Sequence, residues 1–264
     1  MHDALRVVCR SENLVVDRDG FAAVQEAGLC EGRLVLLVDD EDAKGAADLI
    51  EGLSNAEICI DYTLLVDEFR SSPDELRVVG GSRLLRMFLH HADQLDVVET
   101  DEPTSDSGTF NEWTRAGFVF ETTDSWEVGR RLQGKRPENR DGIRRQAAMA
   151  LYDMTFNWNR PDKAAELFLG STYRQHNPHV ADGINDFVAY FDRMAAEYPD
   201  KEVRFMRSFV DGDHVILHCH QIWPGDAEYA GIDIFLFNNE DRMIEHWDVL
   251  QTLPTTSPNP NGMF

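Results

Sequence analysis

The C-terminal half is organised around the stretch DIFLFNNEDRMIEHWDVLQ, which runs from Asp233 to Gln251. Two runs in and around it, Ala230–Phe237 and Met243–Leu250, are rich in the aromatic and β-branched residues that strands favour. The polar segment between them, Asn238–Asp241, has the composition of a tight turn. This stretch therefore predicts two antiparallel strands that are joined by a hairpin.

The residues before this hairpin extend the same domain. Two more strands are predicted at Glu202–Val210 and His214–Trp223, and Asp211-Gly212-Asp213 joins them as a turn. Three segments with helical spacing precede these strands, and they are Ile143–Trp158, Pro161–Leu169 and Gly183–Tyr198. A short extended segment, Tyr173–Asn177, lies between the second and third helices. Helices followed by an antiparallel meander predict an α+β domain whose sheet curls around its helices.

Polar side chains are expected to gather on the concave face of this sheet. Residues of equal parity on a strand point to the same side. The polar members of the predicted concave face are His218, His220, Asp233, His246 and Asp248. The short extended segment adds Tyr173 and Asn177. Three of these seven residues, Asp233, His246 and Asp248, are the candidate catalytic residues, and the other four are candidates for contact with a small organic substrate.

Such a pocket suits proton transfer at a carbon atom next to a carbonyl group. A carboxylate in a partly dry pocket has a raised pKa and can exchange a proton near neutral pH. Asp248 is the candidate base, with His246 beside it to orient it or to share the proton. An amide or phenol from Tyr173, Gln175 or Asn177 would donate hydrogen bonds to the enolate oxygen.

Structural explanations of the same residues remain open. A buried His–Asp pair is commonly a satisfied strand contact, and Trp247 and the phenylalanines are typical core residues. The spacing of His218 and His220 is compatible with a metal ion, but no third ligand is evident, and we therefore predict no metal. Periodicity by itself leaves catalysis open.

Three strings of the C-terminal half resemble one family. They are YRQHNPHVADG (Tyr173–Gly183), DIFLFNNEDRMIEHWDVLQ and the terminal NPNGMF, and they are similar to the SnoaL-like branch of the NTF2-like superfamily. The resemblance implies a conical α+β barrel, often dimeric. Its members include cofactor-independent polyketide cyclases that perform an intramolecular aldol condensation, with isomerases, epoxide hydrolases and non-catalytic binding domains among the relatives. It also implies that Asp248 is the general acid/base and that His176, Asp233 and His246 line the pocket.

The N-terminal half alternates strand-like and helix-like runs, which predicts a mostly parallel sheet covered by helices. The strand candidates are Leu5–Cys9, Arg33–Val38, Glu57–Asp61, Leu76–Val79, Leu95–Thr100 and an edge strand Gly117–Thr122. The helix candidates are Ala43–Leu53, Leu64–Arg70 and Ser82–His90. Gly80-Gly81 lies between a strand and a helix, where glycine lets a ligand approach the backbone and the helix N-terminus favours phosphate. A tight turn without a ligand explains the glycine pair equally.

Residues 4–127 resemble the dihydrofolate reductase-like fold, including the reductase half of the riboflavin-pathway deaminase/reductase. The resemblance is carried by VVGGSRLLRMFLHHADQLDVVETDEP and the following SGTFNEW. It implies that the phosphates of NADPH bind at Gly80, Gly81, Ser82 and Arg83. The family's opening strand and helix have no counterpart here. Either this incomplete domain is a relic that serves as a scaffold or dimer surface, or its true start lies upstream.

A change of composition separates the two halves. Residues 129–145 are polar and basic, and we predict a linker at 129–141. The chain then comprises a truncated dihydrofolate reductase-like domain at 1–128, a SnoaL-like domain at 142–254 and a tail at 255–264.

Composition and charge limit the partners. The chain has 48 acidic and 25 basic residues, a formal net charge of −23, which disfavours nucleic acids and anionic membranes. The four cysteines show no CxxC spacing, which argues against a zinc ribbon or a disulfide framework. The beginning of the sequence lacks the features of a signal peptide, and no segment is apolar over a membrane-spanning length. We therefore predict a cytoplasmic protein, and the SnoaL-like resemblance implies a homodimer that binds a small molecule.

Three functions are compatible with these features. The first is a cofactor-independent acid–base enzyme, an aldol-type cyclase or an isomerase, that uses the C-terminal pocket. The second is an NADPH-dependent dihydrofolate- or pyrimidine-type reductase with an accessory C-terminal domain. The third is a non-catalytic ligand sensor or dimerisation module.

Overall fold

The structure is a computed structural model that describes residues 12–27, 32–39, 42–70, 72–100, 118–126 and 129–264. The predicted strand Leu5–Cys9 and the motif SGTFNEW lie outside the described residues. The chain divides into two compact units, residues 1–91 and residues 92–264. Across the described ranges, every helix is too short or too polar to cross a membrane.

The first unit contains a parallel sheet in which a helix follows each described strand. Its strands are β1 (Asn13–Val16), β2 (Arg33–Leu37), β3 (Ala56–Cys59) and β4 (Leu76–Val79). Its helices are α1 (Arg18–Ala27), α2 (Ala43–Leu49), α3 (Tyr62–Arg70) and α4 (Ser82–Leu89). The strand order is β3-β2-β1-β4, and each neighbouring pair is parallel. The parallel sheet covered by helices is thus confirmed. The predicted strands Leu95–Thr100 and Gly117–Thr122 do not belong to it, because they pair in a separate antiparallel sheet of the second unit.

Strand β1 and helix α1 are absent from the sequence-based prediction. Only four residues form β1, and charged residues stand close on both sides. In the sheet, β1 lies between β2 and β4, and Val15 and Val16 are fully buried. On the helix, Phe21 and Val24 pack into the same core. Burial between two neighbouring strands, rather than a long apolar run, therefore stabilises this strand.

The second unit begins with a three-stranded antiparallel sheet. Its strands are β5 (Gln94–Thr100), β6 (Val119–Trp126) and β7 (Gly129–Lys135), in the order β5-β7-β6. The predicted linker at 129–141 is thus corrected, because residues 129–135 form the central strand. Leu132 is the buried apolar residue of β7, and Arg131 pairs with Asp96 of β5. A strand with so little apolar alternation reads as a linker by composition.

The remainder of the second unit is the predicted α+β domain. Its helices are α5 (Arg140–Tyr152), α6 (Pro161–Phe168) and α7 (Ile184–Glu197), and α5 continues into a π-helical turn at Asp153–Asn157. Its strands are β8 (Leu169–Gln175), β9 (Glu202–Asp211), β10 (His214–Ile222), β11 (Glu228–Phe237) and β12 (Met243–Thr252). The sheet order is β8-β12-β11-β10-β9, with β8 parallel to β12 and the other pairs antiparallel. The predicted order of helices and strands is confirmed.

Arg144 connects helix α5 to two hairpins of the sheet, β9–β10 and β11–β12. Its guanidinium is buried and binds Asp213 at 2.6 Å and Asp241 at 2.7 Å. It also donates to the backbone carbonyls of Gly212 and Asn238. Because the buried guanidinium has a partner for each of these donors, it fixes the helix across the end of the sheet.

The burial pattern of β10 separates the concave face of the sheet from its outer face. Val215, Leu217, Cys219 and Gln221 are buried, and the residues that alternate with them are more exposed. The C-terminal residues 253–264 contain neither helix nor strand. The ring of Phe264 lies against the outer face, 4.5 Å from the ring of His220 between centroids.

Candidate active site

A pocket is formed by the concave face of the five-stranded sheet together with helices α5 and α7. Its aromatic wall consists of Tyr152, Phe156, Phe187, Tyr190, Phe191 and Trp223. Its polar wall consists of Gln175, Asn177, Gln221, His246 and Asp248, and Val180 and Leu250 complete it. The empty volume, including the part open to solvent, is about 400 Å³. An apolar wall with a few convergent polar groups is typical of small-molecule sites.

Three buried polar side chains meet at one side of this pocket. The hydroxyl of Tyr152 donates to Oδ1 of Asp233 at 2.6 Å and lies 2.9 Å from Nε2 of His246. The exposed fractions are 4% for Tyr152, 0% for Asp233 and 3% for His246. Tyr152 belongs to α5, and the other two belong to β11 and β12, so packing of the helix on the sheet creates the cluster.

Gln175 determines which nitrogen of His246 carries a proton. Its Oε1 accepts the backbone N–H groups of His176 at 2.9 Å and Asn177 at 3.0 Å, so this atom is the oxygen of the amide. Nδ1 of His246 lies 2.9 Å from the same oxygen and must donate to it. Nε2, the other ring nitrogen, therefore faces Tyr152.

The hydroxyl of Tyr152 makes two short contacts, one to Asp233 and one to His246. A phenol can donate one hydrogen bond and accept another, so this single group links both neighbours. Tyrosine, aspartate and histidine are side chains that transfer protons in acid–base sites.

Asp248 lies beside this cluster and faces the pocket. It is the cross-strand neighbour of Asp233, and Nδ2 of Asn177 donates to its Oδ2 at 2.6 Å. Burial raises the pKa of Asp248, although the hydrogen bond from Asn177 and the proximity of His246 act in the opposite direction. Two neighbouring carboxyl groups thus differ in environment, as in sites where one acts as acid and the other as base.

The structure also corrects the expected position of Tyr173. This side chain is buried and packs edge-on against Phe187, with ring centroids 5.5 Å apart. Burial and the carboxylates of Asp233 and Asp248 raise the pKa of its phenol. Tyr173 does not belong to the pocket wall, to which Tyr152 and Tyr190 contribute phenols instead.

His176 lies on the outer face of the sheet and not in the pocket. Its ring stacks on Trp247 with centroids 4.9 Å apart, and its Nε2 lies 2.8 Å from Glu245. The parity of the segment explains this correction, because Gln175 and Asn177 on either side of His176 point into the pocket.

His218 and His220 are likewise on the outer face. Nδ1 of His218 lies 2.9 Å from Arg207, and Nε2 of His220 lies 2.7 Å from Glu228. The predicted alternation along β10 is correct, but the side assigned to the histidines is wrong. The apolar residues between them, rather than the histidines, meet the core, because burial of apolar surface decides which face turns inward.

Tyr152 and Gln221 are two of the pocket residues that the sequence-based prediction does not contain. Tyr152 belongs to the apolar run AAMALYDMTF, where a tyrosine resembles any other core residue. Gln221 alternates with the histidines of β10 and is buried with its Oε1 3.4 Å from the indole nitrogen of Trp223. A correct assignment of the buried face of β10 would have identified Gln221, whereas nothing local marks Tyr152.

Ligand atoms of Asp233, His246 and Asp248 lie within 4.8 Å of one another, which is close enough to hold a metal ion. However, the short hydrogen bonds described above already use an oxygen of each carboxylate and both ring nitrogens of His246. The hydrogen-bond network explains these three residues without a metal.

In the first unit, the residues assigned to NADPH do not fit its phosphates. The backbone N–H of Gly81 donates to the carboxylate of Asp17 at 2.7 Å, and Arg83 binds Asp39 at 2.9 Å. The side chain of Ser82 lies outside the described part, and Gly80 packs directly on Asp17. The groups that would bind a phosphate are therefore engaged by acidic side chains.

Residues 144–246 match the family model of the SnoaL-like domain. The matched residues lie within the C-terminal α+β domain, in agreement with its resemblance to SnoaL-like proteins. The match does not include the N-terminal half, so the dihydrofolate reductase-like resemblance stays a prediction. No curated protein sequence matches the chain.

Several solved structures are similar to this chain. TsrD from Streptomyces laurentii is 23% identical, with 43% of this chain and 91% of that chain covered and a TM-score of 0.37. A protein from Jannaschia sp. CCS1, provisionally named a SnoaL-like polyketide cyclase, is 14% identical with coverages of 44% and 91% and a TM-score of 0.38. A provisionally named ketosteroid isomerase from Kribbella flavida is 18% identical with coverages of 45% and 84% and a TM-score of 0.36.

Proposed function

We propose that the SnoaL-like domain is a cofactor-independent acid–base enzyme that acts on a small ketone, as an aldol-type cyclase or an isomerase. The observation that carries this proposal is the unequal environment of two neighbouring carboxyl groups. Asp248 faces the pocket, whereas Asp233 is fully buried behind Tyr152 and His246. Unequal carboxyl groups of this kind divide the work of base and acid.

Asp248 is the general base in this proposal. Asn177 donates to its Oδ2, and Asp248 lines the pocket. Its raised pKa makes it a stronger base than an ordinary aspartate. It removes a proton from the carbon next to the carbonyl group, and the electron pair of that C–H bond moves toward the carbonyl oxygen as the enolate forms.

Tyr152 stabilises the enolate oxygen, and His246 and Asp233 support it. Tyr152 belongs to the pocket wall, and its hydroxyl contacts a carboxyl group and an imidazole that can pass it a proton as it donates to the enolate oxygen. In an aldol step, the enolate carbon forms a bond to a second carbonyl carbon, whose oxygen then takes a proton from the cluster. The proton held by Asp248 restores the cluster, so no proton is consumed overall.

The test uses α-hydrogen exchange, because the natural substrate is not needed for it. We expect the protein to exchange the α-hydrogens of a bicyclic ketone such as 2-tetralone with D₂O, followed by proton NMR. Asp248→Asn should lower this rate by about 10²–10⁴-fold while leaving the fold intact by circular dichroism. Asp211→Asn, an exposed residue of the β9–β10 hairpin, is the matched control.

A protein that binds the ketone but exchanges no hydrogen would contradict catalysis and favour the alternative of a non-catalytic ligand sensor. The aromatic wall of the pocket is compatible with both functions. Retained exchange in Asp248→Asn would contradict the role of this residue.

The homodimer and the cytoplasmic location remain proposals as well. The outer face of the sheet exposes Phe209, Ile232 and Val249 at 55%, 42% and 73%. Ile232 and Val249 are cross-strand neighbours, so they form a continuous apolar surface, and such surfaces support an interface between copies. Light scattering after size-exclusion chromatography would test the dimer.

A further inference from the structure

The parallel sheet of the first unit has a topological switch point between β1 and β4. The chain moves from β1 to β2 and β3 on one side, and β4 returns to the other side of β1. In open parallel sheets, ligands bind outside the carboxyl ends of the strands at such a point, with phosphates on backbone N–H groups. The two turns at this position are residues 17–20 after β1 and residues 80–82 after β4.

The carboxylate of Asp17 joins these two turns. Its Oδ1 accepts the N–H of Gly20 at 2.8 Å, which caps helix α1. Its Oδ2 accepts the N–H of Gly81 at 2.7 Å, at the start of helix α4. The two oxygens therefore bind donors on two different turns. The contact with Gly81 joins residues that are 64 positions apart in the sequence.

The glycines of both turns are explained by this arrangement. A Cβ atom on Gly80 would lie 2.5 Å from Oδ1 of Asp17, and a Cβ atom on Gly20 would overlap the carbonyl oxygen of Val79. The glycine pair that resembles a phosphate-binding loop thus makes room for the carboxylate of the chain itself.

The charges around the switch point are also unfavourable for a phosphate. Asp19 lies beside the same turn, 3.9 Å from the Cβ position of Gly81. Arg18, which follows Asp17, is near Asp42 at 3.8 Å. Arg83, at the start of α4, is bound by both oxygens of Asp39. A dinucleotide would meet acids here, while the arginines of both turns are already paired.

We propose that the Asp17 carboxylate takes the place of a nucleotide phosphate and that the first unit consequently does not bind NADP(H). The negative charge that a ligand would bring to the two turns is built into the chain. The first unit is therefore a self-contained scaffold, independent of the chemistry proposed for the SnoaL-like domain.

The test compares Asp17→Ala with Asp19→Ala in the full chain. Both remove one acidic charge from the same turn, but Asp17→Ala alone removes the two hydrogen bonds. We expect amide hydrogen exchange at Gly20 and Gly81 to accelerate at least about tenfold in Asp17→Ala, and inorganic phosphate at constant ionic strength to slow it again. The wild-type protein and Asp19→Ala should show no phosphate effect, and neither should enhance NADPH fluorescence. If Asp17→Ala does not fold, Asp17→Asn, which retains one acceptor oxygen, replaces it.

Two results would overturn the proposal. Micromolar binding of NADPH by the wild-type protein would show that Asp17 does not exclude the cofactor. Unchanged exchange at Gly81 in Asp17→Ala, or accelerated exchange that phosphate does not slow, would show that the carboxylate does not act as an anion bound between the turns.

Discussion

Asp17 and Asp248 both lie where a ligand is expected. The two carboxylates differ in how many of their oxygens accept hydrogen bonds from the protein. Both oxygens of Asp17 accept backbone N–H groups of the sheet's own turns. Asp248 gives one oxygen to Asn177 and turns toward an aromatic pocket. A carboxylate with both oxygens satisfied stabilises structure, whereas one with a free oxygen in a partly dry pocket can exchange a proton. The environment of the carboxylate, rather than the residue type, therefore distinguishes a structural aspartate from a candidate catalytic one.

The same substitution at both positions should give opposite results. Asp248→Asn should abolish most α-hydrogen exchange, by about 10²–10⁴-fold, without lowering the free energy of unfolding. Asp17→Asn should leave the rate of α-hydrogen exchange unchanged and lower the free energy of unfolding by about 1–2 kcal/mol, because the amide nitrogen that replaces one oxygen cannot accept a backbone N–H group. NMR exchange rates and urea unfolding measure the two effects. If Asp17→Asn and Asp248→Asn lost α-hydrogen exchange activity to the same extent, the proposed difference between the two carboxylates would be contradicted.

Tyr152→Phe should produce the next largest effect. It removes the hydroxyl that joins Asp233 to His246, so we expect a rate loss of about 10²–10³-fold. The carboxyl group of Asp233 also loses a buried partner, which should cost about 1–3 kcal/mol of stability. Tyr229→Phe is the matched control, because its hydroxyl binds Asp226 at the surface. A fully active Tyr152→Phe would limit the cluster to a structural role.

The pH dependence of stability should have opposite signs for Asp248 and Glu245. Burial raises the pKa of Asp248, so ionisation costs stability as the pH rises from its ordinary value of about 3.9 through the higher folded value. Asp248→Asn should therefore gain stability relative to the wild type over that window. His176 lowers the pKa of Glu245, so the wild type should lose stability relative to Glu245→Gln as the pH falls through the depressed value. Urea unfolding of the wild type and both variants at several pH values would measure these two differences. If the stability of each variant differed from that of the wild type by the same amount at every pH, the environments assigned to Asp248 and Glu245 would be contradicted.

The smallest effect is expected at His218 and His220. Replacement of either by Gln should leave the exchange rate unchanged, because both lie on the outer face of β10. The surface contact of His220 with Glu228 contributes at most about 1 kcal/mol. A large loss of activity in either variant would place the outer face in the catalytic machinery and weaken the comparison between Asp17 and Asp248.

The alternation of side chains along the strands could be predicted from the sequence. Which of the two faces is buried could not always be predicted. The alternation of DIFLF and IEHWD correctly placed Asp233, His246 and Asp248 together. On β10, polar and apolar residues alternate with the same period, and the choice of His218 and His220 for the concave face was wrong. Parity is a local property of the backbone, whereas the buried side depends on which helices cover the sheet.

The contacts that define both regions join residues distant in sequence. Tyr152 reaches Asp233 across 81 positions, and Asp17 reaches Gly81 across 64. Neither contact leaves a motif with fixed spacing. The glycine pair Gly80-Gly81 is a local motif that resembles a phosphate-binding loop. The tertiary contact with Asp17, which the sequence does not reveal, offers a different explanation of this motif.

By itself, the sequence predicted the order of helices and strands and the hairpins of the C-terminal α+β domain, and it placed Asp248 with Asp233 and His246, because propensity, turn chemistry and side-chain alternation act over a few residues. Only the tertiary structure decided which carboxylate is satisfied and which faces a pocket, which histidines are outside, and that Tyr152 completes the site. Those outcomes depend on burial and hydrogen-bond partners, which arise when distant elements pack together.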